Sequence, residues 1–385
     1  MKWLLVVIVA LQMLLPESVQ AASFPVAEPA DPTAADIHSE SAILIDMNSG
    51  DVLFSKNSDK MQYPASITKI VTGILAIENG HLNDIVTVSK NARDVEGTRI
   101  YLAEGEQKPM IDLLYGMLMN SGNDAAIAIA EHMDGSVEAF SRRMNDFVKK
   151  IGATHTHFVN PDGLYDKQHY TTAADMAKIA AYAMQNPIFS RIVATKEKPW
   201  NGTEWKSKLE NHNKLLTTYS GANGVKNGFT TQAKFTLVES AKRNGMDLIA
   251  VLMKADTDRE INQDAERLLD FGFAHFKSVR ILGERQQLSS RGERYTVNKN
   301  LFATIPKNDQ FRVNTGDPHH IIVQTTSGKI QAYSPVLTQR EIPDTGHKDY
   351  MGSAEDSSSL YYWTAVSAGV LIAGWLSLRY RGRRA

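Results

Sequence analysis

The chain has 385 residues, 43% of them hydrophobic and 22% charged, with 42 basic against 43 acidic side chains and a formal net charge of −1. That balance excludes a disordered or fibrous chain, and it lacks the basic excess with which a nucleic-acid binder displaces counterions from phosphates, so no nucleic-acid partner is expected. The absence of cysteine removes disulfides, thiolate catalysis, iron–sulfur clusters and Cys-based zinc sites.

Residues 1–21 read as a cleaved export signal. Lys2 precedes an apolar run from Trp3 to Leu15 broken only by Gln12, and Val19 and Ala21 stand where a signal peptidase reads small side chains. That run is too short for the ~20 residues a membrane-crossing helix needs. A hairpin is expected next, Ala42–Asp46 with Val52–Ser55, joined by a turn that contains Asn48 and Gly50. Ser66 then opens a helix to Asn79, with Ile67, Ile70, Val71, Ile74, Leu75 and Ile77 at helical spacing and Gly80 as the stop. Further helices are predicted near 110–120, 124–133, 136–151 and 172–185. The period then changes: Phe235–Ser240 and Leu248–Met253 read as paired strands about a turn at 243–246, and a helix over about 256–276 closes this part. Helices in the middle with strands at both ends predict an α+β domain whose sheet is completed by its terminal segments.

Short strands spaced by turn residues follow, at 278–282, 295–297, 301–305, 321–324 and 330–333, and suit a small β-sandwich over 277–345. A polar linker covers 346–359. Leu360 to Leu378 is free of charge, opens with Tyr361, Tyr362 and Trp363, and is followed by Arg379, Arg381, Arg383 and Arg384. This reads as a transmembrane helix with a basic tail at 379–385, which the positive-inside rule places in the cytoplasm. The exported N-terminus requires the same orientation, so a single-pass membrane protein with an extracytoplasmic body is expected.

The chemistry is expected from three short segments. Ser66-Ile67-Thr68-Lys69 puts a hydroxyl and an amine on one helical face, near free N–H groups and the positive dipole end. A lysine in a partly dry cleft has a lowered pKa and can act as base. Ser121-Gly122-Asn123 lies between helices, and Lys226-Asn227-Gly228, followed by Phe229 and Thr230, leads into a strand. Taken singly, each is an ordinary capping or turn sequence. The ordered triple in an exported chain is not.

At these residues the sequence resembles the serine D-alanyl-D-alanine carboxypeptidases, low-molecular-mass penicillin-binding proteins of the peptidase S11 family that share Ser-x-x-Lys, Ser-x-Asn and Lys-Thr-Gly boxes with β-lactamases. The resemblance spans about 40–345 and includes Asn160-Pro161-Asp162-Gly163-Leu164, Thr172-Ala173-Ala174-Asp175 and Asn213-Lys214-Leu215-Leu216. It implies a penicillin-binding/transpeptidase-like, β-lactamase-like catalytic domain over 22–276, a sheet with a helical cluster, followed by the small all-β domain and the anchor. It also implies roles. Ser66 attacks the penultimate D-alanine carbonyl, Lys69 accepts its proton, and Ser121 with Lys226 returns a proton to the departing D-alanine. Asn123 binds the substrate amide, the backbone N–H groups of Ser66 and Phe229 form the oxyanion hole, and Lys226, Asn227, Gly228 and Thr230 hold the terminal carboxylate. The partners implied are peptidoglycan stem peptides ending in D-Ala-D-Ala and β-lactams as covalent inhibitors. No metal or cofactor is expected.

One departure stands out: Asn227 occupies the position where the family has Thr, predicting weaker carboxylate recognition. His155/His157 and His319/His320 lack a carboxylate at metal-ligand spacing and are expected to be surface residues. Glu197-Lys198-Pro199-Trp200-Asn201 echoes the deacylating segment of class A β-lactamases but lies too far from Ser121 and carries Trp200 in place of Leu. The alternatives are a β-lactamase-like hydrolase and a cell-wall-binding protein whose turnover is weakened by Asn227. A cysteine-free exported chain suits a Gram-positive envelope.

Overall fold

The computed structural model describes residues 31–290 and 293–340. The expected export signal, and the linker, span and tail expected over 346–385, lie outside the described residues. Among the described residues no helix is long and apolar enough to cross a membrane.

Five antiparallel strands form the central sheet: β1 (Ser41–Asp46), β2 (Val52–Lys56), β3 (Ala222–Thr230), β4 (Lys234–Arg243) and β5 (Met246–Ala255), in the order β2-β1-β5-β4-β3. The N-terminal hairpin therefore sits beside the C-terminal one, with Leu44 opposite Ala250 and Asp46 opposite Leu248. This is the closure expected from the sequence, a sheet completed by its terminal segments, although nothing in the sequence orders the strands. Every residue of β1 is buried, because both faces of the sheet are covered. Alternation then assigns the layers: Ile43, Ile45, Ile249 and Val251 face the helical cluster, while Ala42, Leu44, Ala250 and Leu252 face helix α4 (Asp258–His275).

On the first face lie α1 (Lys69–Asn79), α2 (Met110–Asn120) and α3 (Asn123–Asp134), with helices at 137–150, 173–184 and 187–194 around them. α1 is buried along its first nine residues, as an apolar helix inside a cluster should be. α4 begins with a capping box, the Thr257 hydroxyl accepting from Glu260 N while the Glu260 carboxylate accepts from Thr257 N. The helix at 187–194, the strand pairs 85–87 with 107–109 and 197–201 with 206–210, and the short strands at 287–290, 311–314 and 337–340 were not expected from sequence. The strands are too short or too polar to set a period, whereas Ile188, Phe189, Ile192 and Val193 do repeat at helical spacing over a helix of only eight residues.

Residues 276–340 form three small antiparallel sheets around a separate core of Leu282, Val297, Ile305, Ile321 and Val323. Polar bonds tie this region to the β1–β2 turn. Thr304 Oγ1 donates to the buried Asp46 (2.8 Å), Thr304 N donates to Asp51 (2.8 Å), and the Tyr333 hydroxyl donates to Asp51 (2.6 Å). Burial pushes the Asp46 carboxyl above its usual range. Thr304→Val should therefore cost about 1–3 kcal/mol of unfolding free energy, because it strips a donor from a buried acid. Urea unfolding of the two proteins checks this, and equal midpoints would contradict it.

Candidate active site

The turn that carries Ser66 is held from several sides. Ser66 lies in a 3₁₀ turn, Ala65–Thr68, and the α-helix proper starts at Lys69, three residues later than the sequence pattern suggests. Ala65 has φ +51°, a left-handed conformation uncommon for alanine. Thr236 Oγ1 donates to Pro64 O (2.8 Å) from the sheet side. From the helical side, buried His169 bonds Thr68 Oγ1 through Nε2 (2.9 Å) while its Nδ1 accepts from Val159 N (3.2 Å). That acceptance fixes the neutral tautomer with the proton on Nε2, and burial holds the imidazole pKa down at about 3.

Lys69 is fully buried, whereas Ser66 is half-exposed. Its Nζ donates to Ser66 Oγ (2.9 Å), to Asn123 Oδ1 (2.7 Å) and to the Asp162 carbonyl (2.5 Å). Loss of hydration outweighs the attraction of the Asp162 and Asp124 carboxylates and brings its pKa down to about 8. An ammonium near neutrality, bonded to a reachable hydroxyl, is poised to become its base.

The second segment forms the sharp turn between α2 and α3. Ser121, with φ +62°, ends α2 in the left-handed conformation, and Asn123 begins α3. Asn123 is anchored at three points: its N–H donates to Thr98 O (2.7 Å), its Nδ2 to Glu96 O (2.7 Å), and its Oδ1 accepts from Lys69. Its second amide N–H is what it can offer a substrate. Ser121 is buried, and among the described residues no hydrogen bond joins its hydroxyl to Lys69 or Lys226. Next to it, Asp124 spends its buried carboxylate on the backbone N–H groups of Ile100 and Leu102.

The third segment lies on β3, whose Gly228 must be glycine: a Cβ there would stand 2.6 Å from Ser66 N and 2.7 Å from Thr236 Oγ1. The close approach brings the backbone of β3 against the turn that carries Ser66. Lys226 is buried, and its Nζ donates to Asn227 O (2.8 Å) and Asn227 Oδ1 (3.3 Å). Burial first, then the Lys69 charge, hold its pKa well below the usual lysine range. The partly exposed Asn227 side chain also donates through Nδ2 to His212 O at 3.4 Å. Thr230 Oγ1 accepts from Ala233 N (3.0 Å) in the β3–β4 turn, and the exposed Phe229 ring meets Phe235 at 4.6 Å with the planes tilted by 44°.

Two contributors escaped the residue-by-residue reading, the Asp162 carbonyl that accepts from Lys69 and Gly163 beside it. Their stretch resembles a family signature, but nothing in it betrays a backbone role. The other motifs lie elsewhere. Glu197 is on an exposed strand, paired with Lys208 (2.9 Å). His157 Nδ1 bonds Gln168 O and His320 Nδ1 bonds Asp317. Among the described residues no group of three His, Cys, Asp or Glu side chains could hold a metal.

Layered sheet and helices with this site define a penicillin-binding, transpeptidase-like fold. Penicillin-binding protein 5 from Haemophilus influenzae superposes with a TM-score of 0.71 at 29% identity, over 80% of this chain and 98% of that one. The Streptomyces K15 DD-transpeptidase, as its R248L mutant, gives 0.60 at 30% identity, over 63% of this chain and all of that one. The D-alanyl-D-alanine carboxypeptidase family profile matches residues 27–257. D-alanyl-D-alanine carboxypeptidase DacF of Bacillus subtilis is 38% identical over 62% of this chain and 63% of its own length. DacA of Escherichia coli is 31% identical over 81% of this chain and 86% of its own. The chain belongs to the D-alanyl-D-alanine carboxypeptidase family.

Proposed function

We propose that the protein is a membrane-anchored serine D-alanyl-D-alanine carboxypeptidase that removes the terminal D-alanine from peptidoglycan stem peptides outside the cytoplasm. The observation that carries this reading is the fully buried Lys69 amine, 2.9 Å from the half-exposed Ser66 hydroxyl.

In the first half-reaction neutral Lys69 takes the Ser66 proton as Oγ attacks the carbonyl carbon of the penultimate D-alanine. The developing oxyanion is met by the backbone N–H groups of Ser66 and Phe229, where fixed donors are worth about 3–4 kcal/mol each in the transition state. The tetrahedral intermediate expels D-alanine, whose amine takes back a proton through Ser121 and Lys226. Water then attacks the acyl carbon, Lys69 again accepts the proton, and Ser66 leaves as the hydroxyl. A β-lactam enters the same first step and stays on Ser66. The anchor is the uncharged stretch 360–378 with its four following arginines, and the export signal at the other end supports an outward-facing body.

Three activities of the full chain separate the readings. D-alanine release from a peptide ending in D-Ala-D-Ala, together with lasting penicillin label, is expected. Rapid penicillin hydrolysis would make it a β-lactamase, and label without release would make it a cell-wall-binding relative. Asn227→Thr should raise kcat/KM for the peptide about tenfold, the lower end of what a hydrogen bond to a charged group contributes. Unchanged or lower kcat/KM would remove Asn227 from the account.

A further inference from the structure

Asp162 carries a buried carboxylate beside Lys69 that the acylation steps leave unused. Its carbonyl accepts from the Lys69 amine at 2.5 Å, and covalent geometry then keeps the carboxylate of the same residue within about 8 Å of that amine. Asp162 is 2% exposed, so water screens the two charges far less than it would at the surface. The loop that carries it is pinned. Thr72 Oγ1, on α1, donates to Pro161 O (2.6 Å), Asn160 Oδ1 accepts from Gly163 N (2.8 Å), and Asp162 Oδ1 itself accepts from Leu164 N (2.8 Å). The carboxylate is therefore held at a fixed place relative to the helix that begins with Lys69.

Four ionisable groups face the Lys69 amine. Asp162 and His169 do so from the 157–170 segment, Asp124 from α3 and Lys226 from β3. His169 is neutral, and burial holds Lys226 well below the usual lysine range. Asp124 gives its carboxylate to the N–H groups of Ile100, Leu102 and Ala125, and the Arg99 charge also draws on it. Asp162 attracts Lys69 more strongly than Asp124 does, and the cation that faces its own carboxylate is Lys69. A buried carboxylate with backbone donors alone is costly to keep, and a nearby ammonium offsets that cost.

We propose that Asp162 is a positioning residue for acylation, its carboxylate stabilising the charge that Lys69 acquires when it takes the Ser66 proton. The proton passes from Ser66 Oγ to Lys69 Nζ and goes no further, and Asp162 stays ionised throughout. The carboxylate thus keeps Lys69 basic enough to accept a proton in a site whose dryness works against it. This rests on the peptidase reading above.

The full chain and its variants are acylated with labelled penicillin between about pH 6 and 10, and the second-order rate constant is followed across that range. Asp162→Asn removes the charge and keeps an oxygen for Leu164 N. Its profile should rise about one pH unit below that of the wild type, the low end of what a neighbouring opposite charge does. Its plateau should be severalfold lower, because a less basic amine is a weaker general base. The two profiles then cross, the variant being the faster below the wild-type midpoint and the slower above it. A merely structural lesion would lower the rate at every pH and leave the midpoint in place. Asp162→Ser, whose hydroxyl can also accept from Leu164 N, should move the midpoint as Asn does, and Asp162→Glu, which keeps the charge, should return it most of the way. A rate constant reads only the folded molecules, so lost stability does not mask a midpoint. Neutral variants that keep the wild-type midpoint, or a Glu variant displaced as far as they are, would overturn the role of the carboxylate and leave the peptidase reading intact. A wild type that penicillin acylates at no pH would overturn the two together.

Discussion

Replacing Lys69 by methionine should slow acylation of Ser66 by roughly 10²–10⁴-fold, the usual worth of a positioned general base. Methionine keeps the length and apolar body of lysine but cannot take a proton. In the wild type, the second-order rate of acylation by labelled penicillin should rise with pH and level off above about 8, because the reactive form is the neutral amine and burial sets its pKa there. Lys69→Arg should fail as badly as Lys69→Met, since a guanidinium does not deprotonate in this range. The same burial has a consequence for stability. Unfolded lysine titrates near 10.4, so between about 8 and that value the unfolded chain holds more protons at this residue than the folded one. The contribution of Lys69 to stability must then rise with pH across that window. A flat pH profile, or near-normal acylation in Lys69→Met, would move the base elsewhere.

Gly163→Ala should be destabilising by about 3 kcal/mol or more and should cripple acylation as well. The position has φ +87°, and a Cβ there would stand 1.9 Å from the carbonyl oxygen of Ala65 and 3.0 Å from Thr68 Oγ1. Both atoms belong to the turn that presents Ser66, and neighbouring Asp162 supplies the carbonyl that holds Lys69. Relief of the clash must separate the 160–164 loop from the nucleophile turn, so fold and chemistry fail together. Gly152→Ala is the control. It has φ +79° with nothing within 4 Å of its Cβ, and should show only the backbone penalty of about 1 kcal/mol with normal acylation. Urea unfolding and penicillin acylation of the two variants decide the matter, and equal, mild effects at both positions would show that the close approach is not what matters.

The sequence made different parts of this molecule legible for different reasons. Ile67, Ile70, Val71, Ile74 and Leu75 read as a buried helix because one apolar stripe repeats over three turns. The strands 235–240 and 248–253 read equally well, because apolar runs flank a turn with glycine. That the terminal strands complete one sheet was legible as well; the order of the strands within it was not. Nothing in 41–46 indicates that it lies between the N-terminal hairpin partner and β5, since either neighbour satisfies a fully buried strand. The three-residue pairs at 85–87 and 107–109 are too short to have a period at all. Within the site, Ser66 and Lys69 were legible because i, i+3 spacing fixes their approach, even though the turn proved to be 3₁₀ at its start. The hydrogen bonds of the Asn123 and Asn227 amides were not, because an amide's partner is set by whichever backbone carbonyl the fold delivers. Asp162 acts through its carbonyl, which every residue has, so no side-chain pattern could reveal it.

Brief incubation of the full chain with penicillin, followed by proteolysis and mass spectrometry, should place one acyl group on the peptide containing Ser66, and Ser66→Ala should carry none. A D-Ala-D-Ala peptide offered to the wild type in the same experiment should lose D-alanine. An adduct on another residue, or full labelling of Ser66→Ala, would contradict the account.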